Sequence, residues 1–391
     1  MNSLQRGVIN IVYSALTGEK MLLPNDFDFA EGVALAQKHK IEVMFYYGAL
    51  NCGFDQENPL MQQLFLQTCK HMLISEQQMY ELGYIFEAFN EEAIDYMPLK
   101  GAVLKQFYPK PEMRSMSDAD ILIRFEKYKD TIIPVMKRLG FKEGRISDNE
   151  LVWEKPQVCI ELHRRLIPSY NKDYYAYYGD GWRLAKKHNG HLYSMTDEDQ
   201  MIYLFTHFSK HYRDSGIGIR HLVDLWVFKS HFKNLNNDYI KEELQKLGLF
   251  VFYENVMKTI KVWFEQEKCD DISDFITQVI FKSGVYGTSE SHVLSDALKL
   301  TKSNGKENVR RTKFKTEIFP DYDYMKKRYP VLNKMRFLLP LFWIVRLFDA
   351  VIFRRKNIKD KYEKAKMIND ELVSNYQSAL NYVGLDFNFK E

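Results

Sequence analysis

Apolar residues recur three and four apart over residues 27–50 and again over 60–89, and the polar stretch 51–59 separates the two runs. This spacing predicts a helical region across residues 1–90. The pattern then changes. A short apolar run at 96–99 ends in Lys100-Gly101, helix-forming residues follow at 102–107, and residues 119–124 have the character of a strand. The helical period returns over 128–139, with Pro134 as a local irregularity and Gly140 as the terminator. Two strand-like runs, 150–154 and 157–163, are broken by Lys155-Pro156 and predict a hairpin. Residues 95–165 therefore read as strand, helix, strand, helix and hairpin, a compact α/β core.

Residues 168–191 have no clear period and are rich in tyrosine and glycine, as in YYAYYGDGW at 174–182. Such aromatics stack on a base or sugar when a loop faces substrate, but more often they pack a connector onto its own domain. Thr196 with Asp199 three residues on, and acids at 197 and 198, predicts an N-cap for a helix through MIYLFTHFSKHYR. A second helix over 219–228 follows the Ser215-Gly216 turn. Further helices fill 238–300, with 249–264 strongly amphipathic, and another amphipathic helix is expected over 362–384. The charged stretch 304–315, with Arg310, Arg311, Lys313 and Lys315, reads as a solvated separator. The expected architecture is α+β in four parts: helices over 1–94, an α/β core with a small mixed sheet over 95–192, a helical domain over 193–303, and a C-terminal helical segment with a basic linker over 304–391.

Composition narrows the picture. At 391 residues and 46% hydrophobic, the chain is long enough for more than one core. Its net charge is +3, from 55 basic against 52 acidic residues, which leaves no global footprint for nucleic acid. The cysteines at 52, 69, 159 and 269 lack metal-ligand spacing and are too scattered for a disulfide framework, so reduced, cytoplasmic thiols are expected. The N-terminal stretch lacks the pattern of a secretory signal and reads as helix. Residues 337–353 come near the apolar length of a membrane span but hold Pro340, Arg346 and Asp349, with Lys334, Arg336, Arg354, Arg355 and Lys356 at the flanks. The segment 334–356 is read first as a buried helix, with a peripheral membrane contact and an oligomer contact as alternatives.

The candidate chemistry begins at Asp118 and Asp120. Residues i and i+2 of a strand share a face, so the two carboxylates project together while Ala119 and Ile121 point away. Paired carboxylates suit a hard divalent cation that also binds phosphate oxygens. In QVCIELH, Cys159, Glu161 and His163 share one face, which makes Glu161 the natural third acid in the same sheet. His163 either touches metal or phosphate or is a satisfied structural group. The Lys100-Gly101 turn lets backbone approach a ligand and adds a positive charge, and Arg114, Ser115 and Ser117 suit phosphate contacts. His207 and His211 lie four apart on one helix face and are read as packing or phosphate contacts ahead of zinc ligands. Arg220 and Asp224 are likewise four apart, the spacing of a helix salt bridge.

Taken together, Leu99-Lys100-Gly101, Tyr108-Pro109, Arg114, Asp118-Ala119-Asp120, Gly140-Phe141 and Glu161-Leu162-His163, with His207, His211, Arg220 and Asp224 further on, resemble the uncharacterised nucleotidyltransferase family of the polymerase-beta-like superfamily. The usual Gly-Ser or Gly-Gly pair is here Gly101-Ala102, which removes a hydroxyl that often holds the triphosphate. The resemblance implies a nucleotidyltransferase core with magnesium, or manganese, as cofactor, and transfer of a nucleoside monophosphate from a nucleoside triphosphate such as ATP to an unidentified small molecule, sugar or protein. It makes Asp118, Asp120 and Glu161 catalytic metal ligands, and Lys100, Gly101, Arg114 and Ser117 nucleotide-binding residues. His163, His207, His211, Arg220 and Asp224 stand around them, the last two on helices that wall the nucleotide cleft. Two alternatives are transfer to RNA, as in related toxin-like enzymes, which the near-neutral charge disfavours, and a non-catalytic nucleotide-binding scaffold, which the intact set of three acids disfavours.

Overall fold

A computed structural model describes residues 1–169, 171–284, 319–320, 322–353 and 370–385, with positions 291, 294, 295 and 298 between them. Four helices open the chain: α1 Ser3–Thr17, α2 Phe29–His39, α3 Glu42–Cys52 and the long α4 Pro59–Glu91. The predicted run over 27–50 is thus two helices, divided at Lys40, whose positive φ of 55° ends α2. Strand β1 Tyr96–Pro98, the single turn α5 Gly101–Leu104 and strand β2 Ala119–Ile123 follow. The helix expected over 102–107 is therefore shorter, with a tighter 3-10 turn at Lys105–Phe107.

Between β2 and the next strand the chain forms a wide π turn at Tyr128–Ile132 and then α6 Ile133–Arg138. Proline has no N–H and its ring clashes with the carbonyl four residues back, so a regular helix cannot run through Pro134 and begins just ahead of it. Gly140, at φ 83°, ends it as expected. Strands β3 Lys142–Ile146, β4 Glu150–Lys155 and β5 Val158–His163 form a meander, and the 150–163 hairpin lies where the sequence places it. Residues 168–191 are more ordered than expected, with α7 Lys172–Tyr178 and strand β6 Lys186–Asn189, which pairs with β7 Leu192–Ser194.

The seven strands form one mixed sheet in the order β3-β4-β5-β2-β1-β7-β6. Parallel pairing of β2 with β5 sets Asp120 against Glu161 and Leu122 against His163. Alternation then sorts the side chains. Ala119, Ile121, Ile123, Val158, Ile160 and Leu162 face a core with α6 and the C-terminal half of α4, through Leu82, Ile85 and Phe89. Asp120, Glu161 and His163 are left on the opposite face.

That face meets the helices α8 Asp197–Asp214 and α9 Ile219–His231, which are followed by α10 Asn237–Lys246, α11 Phe250–Phe264 and α12 Asp271–Ser283. Thr196 caps α8 as predicted, its Oγ1 accepting from the Asp199 N–H at 3.1 Å. The first three helices share one core with this bundle, for example Val8, Phe45, Phe205, Phe252 and Trp263. Polar ties reinforce the join: Gln5 donates to Gln278 at 2.8 Å and Arg6 to the Val262 carbonyl at 3.2 Å. Helix α4 bridges both cores, with Met61 and Leu64 in the helical one and Leu82 to Phe89 on the sheet.

Toward the C-terminus lie α13 Tyr322–Arg328, α14 Leu339–Phe353 and α15 Asp370–Tyr382. The reading of 334–356 as buried is not what the described side chains show. Phe337 is 77% exposed, and Leu341, Ile344 and Val345 are exposed with it, while nearby Met325 and Leu332 are buried. No helix among the described residues is long and apolar enough to cross a membrane. Residues 304–315, residues 354–356 and the first part of the helix expected over 362–384 lie outside the described residues.

Candidate active site

The connection from β1 to β2 carries the first half of the site. Lys100 adopts φ 45°, an uncommon conformation for a lysine, while the following Gly101 opens α5. The turn's special geometry therefore sits one residue earlier than glycine reasoning places it. Gly101 is needed for space instead, since a Cβ there would meet Met116 Sδ at 3.0 Å.

Lys100 Nζ donates to Asp120 Oδ1 at 2.7 Å, and His163 Nε2 lies 2.7 Å from the same oxygen. Burial works against the Asp120 charge, but Lys100 and His163 outweigh it and hold its carboxyl well below the usual carboxylate range. Asp118, half-buried just before β2, is pushed the other way by burial and by the charges of Asp120 and Glu161. His163 Nε2 is also 3.6 Å from Glu161 Oε2, and its Nδ1 lies 3.3 Å from the Asn149 amide nitrogen. Burial disfavours the imidazolium, yet the hydrogen bonds to Asp120 and Glu161 raise the His163 pKa overall.

One donor atom each from Asp120, Glu161 and His163 lies within 4.8 Å of the others, the group among the described residues placed to hold a metal ion. Two carboxylates and one imidazole fit magnesium or, better, manganese, and Asp118 adds a third carboxylate on the same wall. His163, read from sequence as a neighbour of the site, is thus inside the donor cluster.

The twelve residues that the resemblance assigns to the site and its surroundings line one cavity of about 550 Å³, while Ser115, also expected on phosphate, is not part of its lining. Their partners differ from expectation in three places. Arg114, expected on phosphate, is buried with its Nε donating to Asp224 Oδ1 at 2.7 Å, and the Tyr108 hydroxyl donates to the same oxygen at 2.6 Å. Asp224 is therefore not the helix partner of Arg220, whose guanidinium instead donates to the carbonyl and hydroxyl of Ser115 at 3.1 and 3.2 Å. Lys100, expected on phosphate, is held by Asp120.

The helical side of the cavity carries a feature that sequence reasoning did not single out. Lys210 follows His207 by three residues, a spacing that places it on the same face of α8, and it lines the cavity with His207, His211, His221 and Arg220. Burial and the neighbouring Lys100 pull the Lys210 pKa down to about 8. His207 and His221 are kept well below the ordinary histidine value by burial and nearby cationic groups, and the Nε2 atoms of His207 and His211 are 3.1 Å apart. Of the tyrosine-rich stretch, Pro168 lines the cavity but the aromatic residues at 174–182 do not: Tyr174, Tyr178 and Trp182 are buried in the helical core, and Tyr177 donates to Glu243 at 2.6 Å.

Carboxylates on one face of a mixed sheet, closed over by a helical wall that carries cationic side chains, suit a divalent metal and the phosphates of a nucleotide. The chain belongs to the uncharacterised nucleotidyltransferase family, whose sequence profile matches residues 25–265. No curated protein matches it. Among solved structures, the solution structure of the antibiotic-resistance factor ANT(2'')-Ia aligns with 49% of this chain and 100% of its own, at 10% identity and a TM-score of 0.32, a likeness too slight to carry any argument.

Proposed function

We propose that this protein transfers a nucleoside monophosphate from a nucleoside triphosphate to a hydroxyl of a small molecule, sugar or protein. The observation that carries the reading is a single cavity with carboxylates on its sheet side and Lys210 and Arg220 on its helical side. Asp118, Asp120 and Glu161, with His163 beside them, would hold magnesium or manganese, which shields phosphate charge and lowers the barrier to displacement at the α-phosphorus. The acceptor oxygen attacks that phosphorus, the bond to the bridging oxygen breaks, and pyrophosphate leaves with that oxygen. The acceptor's proton passes to a carboxylate, for which we assign Glu161. Lys210 and Arg220 take the charge of the leaving pyrophosphate, and Lys100 joins them when it releases Asp120. Positioning and charge stabilisation supply the rate. The test is pyrophosphate release and label transfer from each nucleoside triphosphate, with magnesium or manganese, onto a mixture of sugars, phosphorylated metabolites, proteins and RNA. Metal-dependent release lost in Asp118→Asn/Asp120→Asn supports the reading, and its absence with every donor contradicts it.

The Lys210 assignment has its own pH signature. With a pKa near 8, this lysine is charged below that pH and neutral above it. Nucleotide affinity is therefore expected to fall about tenfold from pH 7 to pH 9, the worth of one charge-assisted hydrogen bond. Lys210→Arg should flatten the profile and Lys210→Ala should weaken binding at every pH. A wild-type profile as flat as that of the arginine variant would remove Lys210 from the site.

We place the protein in the cytoplasm, where its four free cysteines stay reduced, and assign α14 to the surface of an anionic membrane. Its exposed Leu341, Ile344 and Val345 share one face with Lys334 and Arg336 close by, a pairing of apolar and basic groups that suits an interfacial helix. Flotation with vesicles rich in anionic lipid is expected for the wild type and lost in Leu341→Glu/Ile344→Glu. Wild-type protein that stays at the bottom of the gradient refutes the contact.

A further inference from the structure

A second cavity, of about 410 Å³, adjoins the first and shares Met116, Ser117 and Arg220 with it. Cations dominate its wall. Lys40 comes from the end of α2, Lys70 and His71 from α4, and Lys105 from the turn after α5. These residues lie far apart in sequence, so only the fold brings them together.

Their environment leaves positive charge in excess. Lys105 is buried to 1% exposure, and its Nζ donates to a neutral partner, the Ser75 hydroxyl, at 2.6 Å. Burial and Arg114 pull the Lys105 pKa down to about 8, against weaker pulls the other way from Glu112 and Glu76. His71 is lowered by burial and by the charges of Lys70, Lys40 and Lys105, which line the same cavity. Three acids stand near. Glu76 acts on Lys105 without lining the cavity, Glu112 lines the cavity but accepts from the Tyr47 hydroxyl at 2.8 Å, and the buried Glu42 lies 3.9 Å from the exposed Lys40, a loose pair. Gathering cations around a cleft at this density is unfavourable until an anion enters.

Building on nucleotidyl transfer as the reaction, we infer that this second cavity is an anion subsite that holds a phosphate group of the acceptor, so that the acceptor is a phosphorylated small molecule. The shared partition sets the logic. The donor nucleotide occupies the carboxylate-lined cavity, the acceptor's phosphate is anchored in the lysine-lined one, and its hydroxyl reaches across Ser117 and Arg220 toward the α-phosphorus. The terminal phosphate of the nucleotide carries the same chemistry, and competition separates the two sources.

The experiment is calorimetric titration of inorganic phosphate into the full-length protein, alone and saturated with magnesium and a non-hydrolysable nucleoside triphosphate. Phosphate is expected to bind in both conditions, and Lys40→Ala/Lys70→Ala is expected to weaken it at least tenfold in both. Both lysines are exposed, so the variant should keep the fold, which its melting temperature reports. Phosphate displaced by the nucleotide assigns the subsite to the triphosphate and overturns the proposal. So does unchanged affinity in the double variant, or no phosphate binding at millimolar concentrations. If the nucleotide itself fails to bind, the transferase reading falls separately, and the lysine dependence of phosphate binding alone still decides whether the subsite exists.

Discussion

Asp120→Asn is expected to reduce nucleotidyl transfer about a thousandfold, or about 4 kcal/mol of transition-state stabilisation. The substitution keeps the shape of the side chain and removes its charge at the point where the site's contacts converge. Asp120 accepts from both Lys100 and His163, and its carboxylate stands in register with Glu161 on the neighbouring strand. A neutral amide is a poor ligand for a hard divalent cation and leaves the Lys100 ammonium without its counter-charge. Manganese binding followed by electron paramagnetic resonance separates loss of ligation from loss of fold. The account requires a folded Asp120→Asn protein with weakened manganese binding, and a variant that retains full turnover would remove Asp120 from the mechanism.

The second large effect concerns stability. Asp224→Ala is expected to destabilise the protein by about 3–5 kcal/mol, because it leaves the buried Arg114 guanidinium without its partner. Both side chains of this pair are 8% exposed, and the Tyr108 hydroxyl completes the arrangement on the same oxygen. The triad joins the β1–β2 connection to α9, so loosening it also loosens the cavity wall. Urea unfolding of wild type and variant measures the difference, and a loss under about 1 kcal/mol would show that the pair is dispensable for folding.

What was legible in the sequence follows from burial. Strand β5 alternates because one face packs on α4 and α6, which is how Glu161 and His163 read as sharing a face, and Asp120 stands out between Ala119 and Ile121 in β2, although that strand is buried on both faces. The edges of the sheet escaped notice. In β3, KEGRI, and β6, KKHN, polar residues fill both faces, as edge strands often require, and β7 is only three residues long. Long-range pairing was equally invisible. Arg220 and Asp224 have helix-pair spacing, yet Asp224 takes a partner 110 residues away. The continuity between the N-terminal helices and α11 could not be read from segments in order, nor could the meeting of Lys40, Lys70 and Lys105. Lys210 was within reach, since it shares a helix face with the two histidines already in view.

The central claim is that this cavity binds a metal–nucleotide complex through the aspartates. Calorimetric titration of the four nucleoside triphosphates, with and without magnesium, into wild type and Asp118→Asn/Asp120→Asn tests it most directly. The account predicts binding of at least one nucleotide that depends on magnesium and disappears in the folded double variant. Binding that persists unchanged without the metal or without both aspartates, or no binding to the wild type at all, would contradict it.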